Sequence, residues 1–167
     1  KLCMARQLES LGVDVIEAGF PIASKGDFEA VRAVAREIRG STIAALSRAR
    51  QEDIEAAAEA LENAARSRIH IFLATSDLHL KYKLKIGREE CIDTIASMVS
   101  FARPRFTEVE FSAEDASRTE PEFLATAFQT AAAAGATILN VPDTVGYTTP
   151  DEYGGLFRGL RAALGDR

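Results

Sequence analysis

Cysteine is scarce in this chain of 167 residues, and the two that occur, Cys3 and Cys91, both fall within helical patterns. Neither stands at a metal-binding or redox spacing, so both read as reduced, partly buried thiols of a cytoplasmic protein. Long apolar runs are missing as well. No stretch reaches the roughly 20 residues of a membrane span, and residues 1–12 are amphipathic rather than signal-like. Positive charge is not in excess: a net charge of −5 and a pI near 5.2 argue against an extended nucleic-acid surface. Linkers and low-complexity tracts are absent too. What is present is an ordinary globular composition, 47% apolar and 27% charged, sufficient for one domain (1–167) with a sizeable core.

Five strand-like runs recur at intervals of roughly 30 residues, beginning near positions 13, 41, 69, 106 and 137. They cover 13–19, 41–47, 69–75, 106–112 and 137–141, and each ends in a polar cluster just before a helical pattern. The helices carry one-sided apolar stripes: Phe28, Val31, Val34, Ala35 and Ile38 in one, Ile54, Ala57, Ala58, Leu61 and Ala65 in the next. Thr119-Glu120-Pro121-Glu122 and Thr149-Pro150-Asp151-Glu152 read as helix starts with a capping threonine. Gly12, Gly40 and Gly135 read as helix ends. This is an α/β chain built of βα units. In a parallel α/β fold the carboxyl ends of all strands open on one face, where ligands bind. The spare polar chemistry therefore gathers on one side, which suits an enzyme.

The chain opens on a helix, near residues 2–11, and closes on another, near 150–164. A βα series should open on a strand, so one strand is expected before Lys1. A closed barrel needs eight units and roughly 250 residues. The pattern alone therefore admits an open five-stranded sheet or a segment of a larger barrel.

Four motifs carry a resemblance. They are Ile16-Glu17-Ala18-Gly19-Phe20-Pro21, the run from Ile69 through His70 to His79, Phe111-Ser112-Ala113-Glu114-Asp115-Ala116, and Asn140-Val141-Pro142-Asp143-Thr144-Val145-Gly146. In order and spacing they resemble the 2-isopropylmalate synthase family across essentially the whole chain. Homocitrate and citramalate synthases are similar, and 3-hydroxy-3-methylglutaryl-CoA lyase is a more distant relative. The resemblance implies a (β/α)8 TIM barrel of which this chain covers strands two to six. It places the divalent-metal ligands (for Mg, Mn or Zn) outside this chain: one from an Arg-Asp pair on the strand before Lys1, whose arginine serves the developing enolate oxygen, and a His-x-His pair beyond Arg167. No metal ligand is expected here.

The resemblance also implies roles, each beside a plainer reading. Glu17 matches the family's strand-two glutamate; otherwise it is an acid satisfied by backbone or solvent. Leu46 matches an apolar wall of the oxo-acid pocket; otherwise it is core. His79 matches a pocket histidine; a lone loop histidine is more often a bystander. His70, flanked by Ile69 and Ile71, reads as a packed or helix-facing side chain and not a ligand. Ser112 and Glu114 match a pair lying against both substrates, and a half-buried carboxylate suits proton handling. Alternatively Glu114 and Asp115 cap the next helical segment. Thr144 matches a threonine whose hydroxyl binds the oxo-acid carboxylate, with Asp143 shaping the turn. Lys81, Lys83 and Lys85 invite a reading as contacts for the phosphates of coenzyme A; the plainer reading is a solvated loop with packed stems.

For the complete enzyme the resemblance implies a Claisen-type condensation of acetyl-CoA with 2-oxoisovalerate, giving 2-isopropylmalate and CoA in leucine biosynthesis. Partners are then the two small substrates, with no nucleic acid or membrane, and a homo-oligomer is expected. The general base is not assignable from this sequence. The alternative is a non-catalytic barrel fragment that associates through its two open sheet edges.

Overall fold

The computed structural model describes residues 1–165. Strands β1 (Val15–Gly19), β2 (Thr42–Arg48), β3 (Ser67–Ala74), β4 (Glu108–Glu114) and β5 (Ile138–Asn140) form one sheet in the order β1-β2-β3-β4-β5. Every neighbouring pair is parallel. Helices α1 (Leu2–Ser10), α2 (Lys25–Glu37), α3 (Gln51–Leu61), α4 (Arg88–Ala102), α5 (Pro121–Ala134) and α6 (Pro150–Leu164) alternate with the strands. Sequence-order parallel pairing with a helix after each strand is the wall of a β/α barrel.

Alternation along the strands assigns the two faces of the sheet. Ile16, Ile43, Ala45, Ile69, Ile71, Val109, Phe111 and Ala113 are buried toward the helices. There they meet Val31, Val34, Ala35 and Ile38 around α2, Ile54, Ala57 and Leu61 of α3, Ile95 and Val99 of α4, and Leu124, Ala127 and Phe128 of α5. The rings of Phe111 and Phe128 pack edge to face at 6.1 Å. The other face carries Glu17, Arg68, His70, Glu108, Glu110, Ser112 and Glu114, alternating with those core residues.

Several local expectations shift. β1 and β5 are shorter than their apolar runs, whereas β3 starts earlier and β4 runs on to Glu114. The second apolar stripe stops at Leu61, where α3 ends, and Ala65 is exposed. The cap of α5 is Glu120, whose carboxylate accepts from the N–H groups of Glu122 and Phe123. Thr119 is unavailable for capping because its hydroxyl meets Thr75 Oγ1 at 2.7 Å and donates to the Asp115 carbonyl at 3.0 Å. At α6 the capping box of Thr149 and Glu152 forms as expected. Gly40 does not end a helix: α2 stops at Glu37, and Gly40 N donates to the Glu9 carboxylate. Gly135 does end α5, with φ +109, a left-handed turn that glycine adopts at little cost. The lysine stretch is not an irregular loop. Asp77–His79 forms one α turn that continues as a π turn through Leu80–Leu84, closed by Lys85 at φ 59. Cys91 is buried as read, and burial pushes its thiol up to about 11, but Cys3 is exposed. Among the described residues, no helix is long and apolar enough to cross a membrane.

Candidate active site

A chain of polar side chains crosses the inner face of the sheet. Asn140 Nδ2 donates to Ser112 Oγ at 2.7 Å, Ser112 Oγ meets His70 Nε2 at 2.6 Å, and His70 Nδ1 meets Glu17 Oε2 at 2.5 Å. A neutral imidazole satisfies all three bonds when the serine hydroxyl donates to Nε2 and Nδ1–H donates to the carboxylate. The chain links β5, β4, β3 and β1, passing over β2. Leu46 stands in register with His70 on β2. Below it, nearer the amino ends of the strands, Arg68 pairs with Glu108 at 2.8 Å and Glu110 at 3.1 Å, so this charge is matched across two strands.

His70 is thus the correction that matters most. It is not helix-facing. Ile69 and Ile71 take the helix side, and the two-residue period of a strand must then turn His70 inward. The flanking isoleucines were themselves the signal. Phe72, two residues on, shares that inner face, and its ring meets Phe20 edge to face at 6.4 Å with the Arg48 guanidinium 5.7 Å from the Phe20 ring centre. This aromatic corner was also missed, because Phe20 follows β1 while Arg48 ends β2 and Phe72 lies on β3.

The remaining predicted residues cluster at the carboxyl end of β4. Glu114 receives Lys83 Nζ on both carboxylate oxygens, at 2.6 and 2.8 Å. Lys83 therefore reaches an inner-face carboxylate from the π turn. Thr144 is exposed, and its Oγ1 accepts the Asp115 N–H at 2.9 Å. His79 does not reach the inner-face chain. Its Nδ1 bonds Ser76 Oγ at 3.2 Å and lies 3.0 Å from Asp115 Oδ2. Asp115 does not cap the short 3-10 turn Ala116–Arg118 with its side chain; the carboxylate binds Arg118 Nε at 2.7 Å. Burial pushes the Asp115 carboxyl up, but the hydrogen bonds from Arg118 and Ser76, then the charges of Arg118 and His79, outweigh it and leave it below the usual range. Asp143 shapes the turn as read: it accepts from Ser117 Oγ, Thr148 Oγ1 and Thr148 N, and these bonds hold its carboxyl far below the usual carboxylate range.

A cavity of about 610 Å³ lies between α5 and α6, lined by Ala125, Tyr147, Leu156 and Gly159 among others, and holds none of the predicted site residues. The polar inner face lies outside this cavity. Among the described residues, no group of three or more His, Cys, Asp and Glu side chains converges on a metal-sized point, so these residues do not by themselves fit a metal ion.

A helix-backed parallel sheet whose polar inner face leads to carboxyl-end loops is a segment of a (β/α)8-barrel protein. The chain belongs to the HMGL-like family, whose model matches residues 1–167. It is 58% identical to 2-isopropylmalate synthase 1 of Caldanaerobacter subterraneus, over 96% of this chain and 41% of that protein. It is 57% identical to the 2-isopropylmalate synthase of Trichodesmium erythraeum, over 96% of this chain and 30% of that protein. The chain thus spans well under half the length of these curated relatives. Among solved structures it resembles hydroxymethylglutaryl-CoA lyase of Pseudomonas aeruginosa, with a TM-score of 0.79 at 19% identity over 98% of this chain and 56% of that one. The HMG-CoA lyase of Brucella melitensis is similar, with a TM-score of 0.77 at 20% identity over 97% of this chain and 59% of that one. These two likenesses concern the fold. The motif resemblance read from the sequence is borne out.

Proposed function

We propose that this segment forms one wall of the site at which acetyl-CoA condenses with 2-oxoisovalerate. The overall reaction takes acetyl-CoA, 2-oxoisovalerate and water to 2-isopropylmalate and CoA. The observation that carries the reading is the hydrogen-bonded row Glu17–His70–Ser112–Asn140 on the inner face, with an exposed Thr144 hydroxyl in the loop after β5, in a chain so similar to named synthases.

Thr144 donates its hydroxyl to the oxo-acid carboxylate, and Leu46 with Phe72 contacts the branched alkyl group. Ser112, between His70 and Asn140, offers its oxygen at the reacting end. His70 and Glu17 act as a pair: the carboxylate orients the ring and accommodates a positive charge should the ring take a proton. Glu114 stands with Lys83 where it can order water for thioester hydrolysis. In the condensation a methyl proton of acetyl-CoA leaves, the enolate carbon forms a bond to the ketone carbon, and hydrolysis releases the thiol. A divalent metal, held by residues outside this segment, supplies Lewis acidity to the ketone when bound. The complete protein is cytoplasmic and homo-oligomeric on this reading, and sedimentation of that protein measures the second point.

The test is CoA release, followed by thiol trapping, with the complete polypeptide and Mg²⁺ or Mn²⁺. Release should depend on 2-oxoisovalerate, and the isolated 167 residues should give none. A stronger response to 2-oxoglutarate or pyruvate moves the assignment to a homocitrate- or citramalate-type synthase. Turnover by the isolated segment contradicts the reading that essential ligands lie outside it.

A further inference from the structure

Asp115 is a buried acid in a left-handed backbone conformation, φ 66 and ψ 35, which a residue other than glycine adopts only at some cost. The conformation is used at each end of the residue. Its N–H donates to Thr144 Oγ1, 29 residues away, and its carbonyl accepts from Thr119 Oγ1 and Arg118 N. One carboxylate oxygen binds Arg118 Nε; the other is buried and lies 3.0 Å from His79 Nδ1. One residue therefore ties together the segment after β3, the 3-10 turn after β4 and the loop after β5.

The hydrogen bond to Thr144 has a chemical consequence. A hydroxyl oxygen that accepts from a backbone N–H on one side has its own hydrogen left to donate elsewhere. An exposed threonine otherwise rotates freely and presents donor and lone pairs alike. We infer that Asp115 is a positioning residue for the oxo-acid subsite, whose left-handed turn aims its N–H at Thr144 Oγ1 and so presents the Thr144 hydrogen to the substrate carboxylate. Its carboxylate, held between Arg118 and His79, keeps the turn in place. The inference rests on the reading that Thr144 binds the oxo acid.

The test is a double-mutant cycle in the complete polypeptide, with kcat/KM measured separately for 2-oxoisovalerate and acetyl-CoA. Both variants keep the backbone N–H: Asp115→Ala removes the carboxylate and makes the left-handed turn more costly, whereas Asp115→Asn removes the charge but keeps a side chain that tolerates that turn. Asp115→Ala should lower oxo-acid kcat/KM about tenfold, with the acetyl-CoA KM within about twofold, a loss comparable to one oriented hydrogen bond. Asp115→Asn should recover part of it. In a Thr144→Ala background, Asp115→Ala should cost less than about twofold more, because the two residues act as one unit. Fully additive losses, equal losses for both substrates, or failure of both Asp115 variants to fold by near-ultraviolet circular dichroism overturn the positioning role. Thr144→Ala with unchanged oxo-acid kcat/KM is a different failure: it removes the underlying reading of the subsite, and this inference with it.

Discussion

On the outer face of the sheet Ile69, Ile71, Val109 and Phe111 lie fully buried beneath the helices. On the inner face of those same strands Arg68, His70, Glu110 and Ser112 pair with one another, and Glu17 at the far end of the row is exposed. The two faces are interleaved one residue at a time, yet they do different work. The outer face is apolar and closed within the described chain, so it holds the fold. The inner face spends its side chains on directed hydrogen bonds, which contribute little net stability but place particular atoms. A substitution on one face should therefore leave the other face's property largely alone.

The largest effect is expected from breaking the outer face. Phe111→Ala removes a ring packed on Phe128 in the centre of the core and should cost about 3–5 kcal/mol. Urea titration of the complete protein would register it as a lower midpoint. A loss below about 1 kcal/mol would mean the site collapses around the gap and the outer face is not the load of the fold.

Breaking the inner-face site should do the reverse. Thr144→Ala removes a hydrogen bond to a carboxylate worth roughly 1.5–3 kcal/mol, so oxo-acid kcat/KM should drop about 10- to 150-fold with little change in melting temperature. His70→Ala should also fall most heavily on the oxo acid, since its ring lies between Glu17 and Ser112. His79→Ala should cost less, because that ring faces Ser76 and Asp115 rather than the inner-face row. An equal loss for His70→Ala and His79→Ala would contradict this division.

Acid should sharpen the contrast, with a smaller effect. Asp115 and Asp143 are held below the usual carboxylate range in the fold by Arg118 and by Ser117 and Thr148. Their folded values lie below the unfolded value of about 3.9, so the stabilisation is fully present above about pH 5. It is lost as pH falls through about 4 toward the folded values, whereas apolar contacts on the outer face do not titrate. The melting temperature should fall between about pH 5 and 3, and Asp143→Asn should flatten part of that slope. An identical slope in the variant would show that Asp143 is not a contributor.

The smallest effect separates the cysteines. Cys3 is exposed, while Cys91 is buried with its thiol pushed up to about 11. A thiol reagent at neutral pH should label Cys3 at once and Cys91 only on unfolding. Simultaneous labelling would mean that α4 opens readily.

The outer face was legible in the sequence because it is written locally. The apolar period of 3.6 in α2 and α3 and the glycine end of α5 are signals within a few residues of one another, and they located the five βα units, while the barrel class came from the motif resemblance. The capping box of α6 was equally local, whereas Thr119 was misread as a cap because its partners, Thr75 and the Asp115 carbonyl, belong to other elements. Motifs located Glu17, Leu46, Ser112, Glu114 and Thr144 near the strand ends without saying what each touches. Those contacts depended on tertiary structure: His70 reaches Glu17 across 53 residues and Ser112 across 42, and Asp115 reaches Thr144 across 29. A side chain's helical or strand period is a property of its neighbours in sequence. Its hydrogen-bond partners exist only once parallel strands take their register, and that register joined the inner-face row and turned His70 from a packed residue into its centre.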